Sequence, residues 1–289
     1  MRSIAAPIAL FTLAALSSWS CSTPLTDRRC DEIDRGSCNR PAPQGGQLRT
    51  YRQADLASRP TTGGPVSISN VVVTAIDDYL EPGGNTGDIW VQEVVADPAF
   101  TGCAPMPDGR HVCGIQLFAP STIPTGSYLL TGDTVSITGG TYDEFNCTPC
   151  CAPPRAPCLF SDGRTLPEFS RAGVERVGTG VEPVIVPATV QQILEGADRY
   201  VGVLVRIEGE VMLETPTGST ATRGEIRMVG GVNLSAQIGP LADRMGRPLF
   251  DRATGRLNYT RVRNMTGIVS YFFGPKLLPR GPEDFEALP

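Results

Sequence analysis

Cysteine is the side chain with the most chemistry to offer in this sequence, and it comes nine times: Cys21, Cys30, Cys38, Cys103, Cys113, Cys147, Cys150, Cys151 and Cys158. The last four crowd into residues 147–158, where thiolates at such spacing have the means to hold zinc. In an oxidising compartment the same four favour two disulfides pinning a proline-rich loop, and adjacent Cys150 and Cys151 then pair outward rather than with each other. Cys103 and Cys113 flank Pro105, Pro107, Asp108 and Gly109, the composition of a hairpin tip, and are expected to bridge it. Cys30 and Cys38 stand close enough to close a small loop. All eight cysteines after Cys21 are disulfide candidates, with their connectivity open.

Other reactive side chains are sparse. His111 is the single histidine. A Ser-His-Asp hydrolase would have to use it, yet no Gly-x-Ser-x-Gly elbow accompanies it, and between two bonded cysteines it reads as a solvated loop residue. Metal-dependent nucleases need clustered histidines and carboxylates, which this chain lacks. Asp77, Asp78, Glu81, Asn85 and Asp88 offer the hard oxygens that calcium takes, but their spacing departs from the EF-hand register, so they read as turn formers facing water. The expectation is no catalytic residue, no metal ligand and no cofactor.

The first twenty residues set the address. Met1-Arg2 precedes an apolar run over residues 4–16, followed by Ser17, Ser18, Trp19 and Ser20: a charged start, a short greasy centre and a small-residue cleavage zone, the layout of a signal peptide. At 1.5 Å per residue the run spans about 20 Å, short of the roughly 30 Å of hydrocarbon a permanent span must cross. Cys21 directly after it resembles the lipobox cysteine of bacterial lipoproteins, with the departure that Ser18 stands where that family usually carries Leu. The resemblance implies that Cys21 is acylated and becomes the first residue of the mature chain. Cysteine parity agrees with it, because lipidation removes the odd one of nine and leaves eight to pair. Several acyl chains, at about 0.8 kcal/mol per buried methylene, would hold the chain firmly on a membrane surface. Ser22 is not an acidic retention signal, which leans to the outer membrane. Release into the periplasm or medium is the alternative, since Ser18-Trp19-Ser20 also suits an ordinary signal peptidase.

A net charge of −5 disfavours nucleic acid as a partner. Lys276 is the only lysine, a bias towards arginine that by itself calls for no functional reading. With 32 Gly and 26 Pro in 289 residues, turns are frequent and long helices scarce. Residues 21–64 are polar, punctuated and aperiodic, and read as a lipidated start and a flexible tether. Beyond residue 64 the pattern becomes short β-branched runs between turn residues: 66–74, 88–93, 114–118 and 133–139, then 203–211, 225–229, 232–236 and 261–269. Between the halves, Val190, Ile193 and Leu194 have helical spacing that Gly196 can end.

This order resembles the OB-fold-like modules of exported bacterial proteins, in which glycine-bearing strands of alternating character follow one another, once over residues 65–180 and again over 181–289. The resemblance implies an all-β chain with two five-stranded OB-like barrels in tandem after the signal peptide (1–20) and tether (21–64). The fifth strands then fall at 165–169 and 276–278, and an immunoglobulin-like sandwich would read similarly. Barrels of this kind bind ligands on one face, so Trp90, Tyr142, Tyr271 and Phe272 are candidates for stacking on a ligand, with core packing as the competing use. Arg206, Arg227, Arg261 and Arg263 offer a cationic strip that Glu208, Glu210 and Glu225 balance. The functional expectation is a non-catalytic binding or structural module of the cell envelope, held to the membrane by its lipid and meeting another envelope protein or a polysaccharide. The alternative is an accessory substrate-binding subunit of an envelope hydrolase or nuclease.

Overall fold

Alternation of apolar and polar residues can bury one face of a strand, and a single sheet of such strands can hide that face by curling onto itself. The computed structural model describes residues 47–77, 87–145, 165–271 and 274–289, and in them this closure happens twice. The first sheet contains β1 (Pro65–Ile76), β2 (Ile89–Val95), β3 (Ala104–Pro105), β4 (His111–Phe118), β5 (Ser121–Ile123), β6 (Thr134–Phe145), β7 (Leu166–Ser170) and β8 (Gly173–Gly178). Its circuit runs β1-β2-β4-β7-β6 and returns to β1. All contacts around the ring are antiparallel except β4 with β7, where Gln116 lies opposite Glu168 in a parallel pair.

The second half repeats the plan. It contains β9 (Val186–Ala188), α1 (Val190–Glu195), α2 (Ala197–Tyr200), β10 (Leu204–Glu214), α3 (Gly218–Arg223), β11 (Ile226–Met228), β12 (Asn233–Leu234), β13 (Phe250–Asp251), β14 (Arg256–Leu257), β15 (Arg261–Tyr271), β16 (Pro275–Leu278) and β17 (Glu286–Leu288). Its ring is β10-β11-β12-β16-β15, closed by β15 on β10, with β12 and β16 the parallel pair. Numbered within each ring, the order is first, second, third, fifth, fourth and back to first, with third and fifth parallel. The chain is therefore all-β with two closed five-stranded barrels in tandem, an OB-like arrangement, and closure excludes the open sandwich. The expected fifth strands coincide with β7 and β16.

A strand shared by both sides of a small barrel must bend sharply, and each first strand does so through a bulge. In β1 the register shifts between Ile68 and Val71, around Asn70 at φ 58°. In β10 it shifts between Ile207 and Glu210, around Gly209 at φ 80°, a left-handed conformation that glycine adopts without a Cβ clash. Inside the first barrel lie Ile68, Val71, Val91, Ile115, Val135 and Phe169. Inside the second lie Val205, Ile207, Met228, Leu234, Met265 and Val269.

The tether boundary at residue 64 is corrected. From Gln47 onward the chain is packed: Leu48, in a short 3-10 turn (Leu48–Thr50), is fully buried in the first core. The backbone N–H groups of Gln47, Leu48 and Arg49 donate to the buried Glu93 carboxylate. The helix at 190 is present as α1, begun by a reciprocal Thr189–Gln192 capping box and ended at Gly196. The strands that periodicity missed are mostly two or three residues long, too short to show a period.

Candidate functional site

In an OB-like barrel the second and third strands carry the ligand face. In the first barrel these are β2 and β4, whose inward residues Val91 and Ile115 leave Trp90, Gln92, Val94, Val112, Gly114 and Gln116 on the outside. That outer face is occupied by the second barrel. Trp90 is 1% exposed and packs with Leu204, Ile238, Ile268 and Leu278, while Val94, Ala104 and Val112 join the core cluster of the second barrel. Gln92 uses both ends of its amide on the neighbour, donating to Val184 O at 2.6 Å and accepting from Leu204 N at 3.3 Å. Gly114 meets Gly202 backbone to backbone: a Cβ on Gly114 would sit 2.2 Å from Gly202 O. Arg52, 1% exposed, donates across the junction to Asp198 O, and burial lowers its pKa to about 10.

The stacking expectation is corrected accordingly. Trp90 is interior to the barrel junction. Tyr142 closes the first barrel, edge-on to Tyr51 and Phe169 with its hydroxyl donating to Glu144, which is also paired with Arg59 at 2.7 Å. Tyr271 is 3% exposed. Phe272 lies outside the described residues.

Where the outer face leaves the junction, each barrel buries a small polar cluster at the parallel pair. In the first, Asp88, immediately before β2, accepts from Gln116 Nε2 at 2.7 Å and Ala119 N at 3.1 Å, and Gln116 is in register with Glu168. Burial pushes the Glu168 carboxyl up to about 7. The Ser170 hydroxyl donating at 3.2 Å works against this, and the nearby charges of Asp88 and Asp143 add to it. In the second, Glu225 stands immediately before β11, Asn233 on β12 donates to it at 3.4 Å, and Lys276, in register with Asn233, pairs with it. Arg223 adds a bidentate pair at 3.0 Å to the same carboxylate. Burial opposes the charge on Glu225, but the hydrogen bonds from Arg223 and Lys276 outweigh it and hold the carboxyl below its ordinary value. The sole lysine of the chain thus occupies the position that Glu168 holds in the first barrel.

Of the oxygen donors considered for calcium, Asp77 and Asp88 are buried; Asp78, Glu81 and Asn85 lie outside the described residues. Among the described residues no group of three or more His, Cys, Asp or Glu side chains is arranged to hold a metal. Cys103 and Cys113 are bonded, Cα atoms 4.9 Å apart, joining the hairpin of β3 and β4. The remaining cysteines, Cys21, Cys30, Cys38, Cys147, Cys150, Cys151 and Cys158, fall outside the described residues. His111 is not a solvated loop residue: it opens β4, is 9% exposed and meets the Phe100 ring edge-on at 6.4 Å. Three of the four arginines expected to form a cationic strip are balanced by carboxylates: Glu210 pairs with Arg261 at 3.0 Å and with Arg263, and Arg227 lies 3.8 Å from Glu214, while Arg206 donates to Thr266 Oγ1 at 3.2 Å.

The second barrel also carries a cavity of about 320 Å³ between β11 and the 239–260 loop that bears β13 and β14. Ile226, Leu241 and Phe250 supply apolar walls, and Gly224 and Arg252 also line it. No sequence motif announced it, because its lining is drawn from separate pieces of chain between Gly224 and Arg252 that only the fold brings together. No family model, curated protein or solved structure matches the chain.

Proposed function

We propose that this protein is a non-catalytic binding module of the bacterial cell envelope, anchored through a lipid on Cys21, with the second barrel as its ligand-carrying side. The observation that carries the reading is the division of labour between two barrels of one plan. The first gives up its outer face to the second, and the second keeps an open cavity of about 320 Å³. That volume is at the small end of ligand pockets, which run from about 300 to 1,000 Å³. Export is supported by the leader-like first twenty residues and by the Cys103–Cys113 bond, which suits an oxidising compartment.

Two measurements test the two halves of the proposal. Expressed with its leader in a Gram-negative host, the wild-type chain partitions into the detergent phase with the outer-membrane fraction, and Cys21→Ala moves it to the aqueous phase. A wild-type chain found in the aqueous phase with an unmodified Cys21 would end the anchor reading. For binding, the neutral naphthalene dye prodan, a single fused ring pair, brightens on the wild-type protein, and Ala236→Leu, which fills the cavity, removes the gain. Dye binding unchanged by that substitution would end the cavity reading.

A further inference from the structure

Arg252 is the one charged side chain among those lining the cavity, the others being apolar or glycine, and its charge is not used by the fold. Every carboxylate near it has other partners. Asp251 accepts from Ala253 N at 2.9 Å, Thr254 N at 3.4 Å and Thr254 Oγ1 at 2.8 Å. Asp243 accepts from Met245 N at 2.9 Å, Arg247 N at 2.8 Å and the Tyr259 hydroxyl. Glu225 is taken by Arg223, Asn233 and Lys276. Arg252, by contrast, makes no ion pair or hydrogen bond among the described residues. Its guanidinium lies against Gly224, where a Cβ would come within 2.0 Å of Nη2, and Gly224 is at φ 71°. A bare glycine therefore leaves room for a free guanidinium beside the apolar side chains of the cavity.

A guanidinium presents a planar fork of donors that matches a carboxylate, and such charge-assisted bonds are stronger at the edge of an apolar wall than in open water. We infer that the cavity binds a compact organic acid, its apolar body against Ile226, Leu241 and Phe250 and its carboxylate on Arg252. This rests on the second barrel being the ligand-carrying side. The small volume limits the body to about one fused ring pair or a short aliphatic chain.

The test uses the purified full chain and two probes of equal shape, 2-naphthoate and the neutral 2-naphthalenemethanol, titrated calorimetrically. The wild type should bind naphthoate at least about 10-fold more tightly than the alcohol. Arg252→Gln, at an exposed position where folding is not at stake, should bring the two affinities together while leaving that of the alcohol unchanged. Ala236→Leu should abolish both. Equal binding of the two probes by the wild type, or an unchanged ratio in Arg252→Gln, overturns the acid inference and leaves the cavity standing. Failure of both probes to bind the wild type, or binding that survives Ala236→Leu, removes the cavity reading and the acid with it.

Discussion

Both barrels bury an acid beside an amide at the parallel strand pair, and one residue separates their electrostatics. Lys276 neutralises Glu225 in the second barrel, whereas Glu168 in the first adds a carboxyl beside Asp88 and Asp143. A raised folded-state pKa means that the fold favours the protonated form. The contribution of Glu168 to stability is present in full below its unfolded value of about 4.5 and is lost as pH climbs through about 7. Glu168→Gln should therefore match the wild type near pH 4 and exceed it above pH 7.5, by at most about 3 kcal/mol, read from urea unfolding at a series of pH values. A wild-type advantage at high pH would mean that Glu168 is ionised and paired. In the second barrel, Lys276→Met leaves Arg223 as the only charged partner identified for Glu225, and removal of one member of a pair only 5% and 2% exposed should cost about 3 kcal/mol. The charges on Glu210, Arg261 and Arg263 sit in water, and substitutions there should change stability little.

At the level of the strand, alternation was a good guide wherever a strand was long enough to repeat. Residues 66–74 and 261–269 were readable as β-type runs between turn residues, 66–74 largely alternating, and both lie within observed strands. β13 and β14 have two residues each and exist only because each offers the other backbone groups, so no local pattern could reveal them. Composition alone identified the β3–β4 hairpin, through its turn residues and the cysteines at either side. Closing that short loop should contribute about 2–3 kcal/mol. The Cys103→Ala/Cys113→Ala chain should unfold at lower urea by that amount, and reductant should lower the wild type to the same midpoint. A midpoint insensitive to reductant would mean the bond contributes nothing to the fold.

For the whole molecule, the decisive feature is that the barrels share a desolvated face and should unfold together. In a chain beginning at Cys21, Trp90 is the only tryptophan and lies in that junction, so its fluorescence reports docking while far-UV circular dichroism reports the barrels. The two signals should change together in the wild type. Gly114→Ala places a methyl where Gly202 backbone stands, so the fluorescence change should move to lower denaturant, ahead of the loss of sheet signal. Coincident transitions in that variant would mean the barrels do not depend on this contact.

Much of the fold could be read along the chain, because turn residues and strand alternation are local properties. The β-rich halves and the positions of both fifth strands belong to that class. Trp90, Lys276 and Arg252 do not. Alternation says that Trp90 and Gln92 share the outer face of β2, but whether water, ligand or another barrel covers that face depends on residues more than a hundred positions away, such as Leu204 and Leu278. The cost of burying Lys276 and the freedom left to Arg252 are likewise set by which carboxylates the folded chain brings within reach of each.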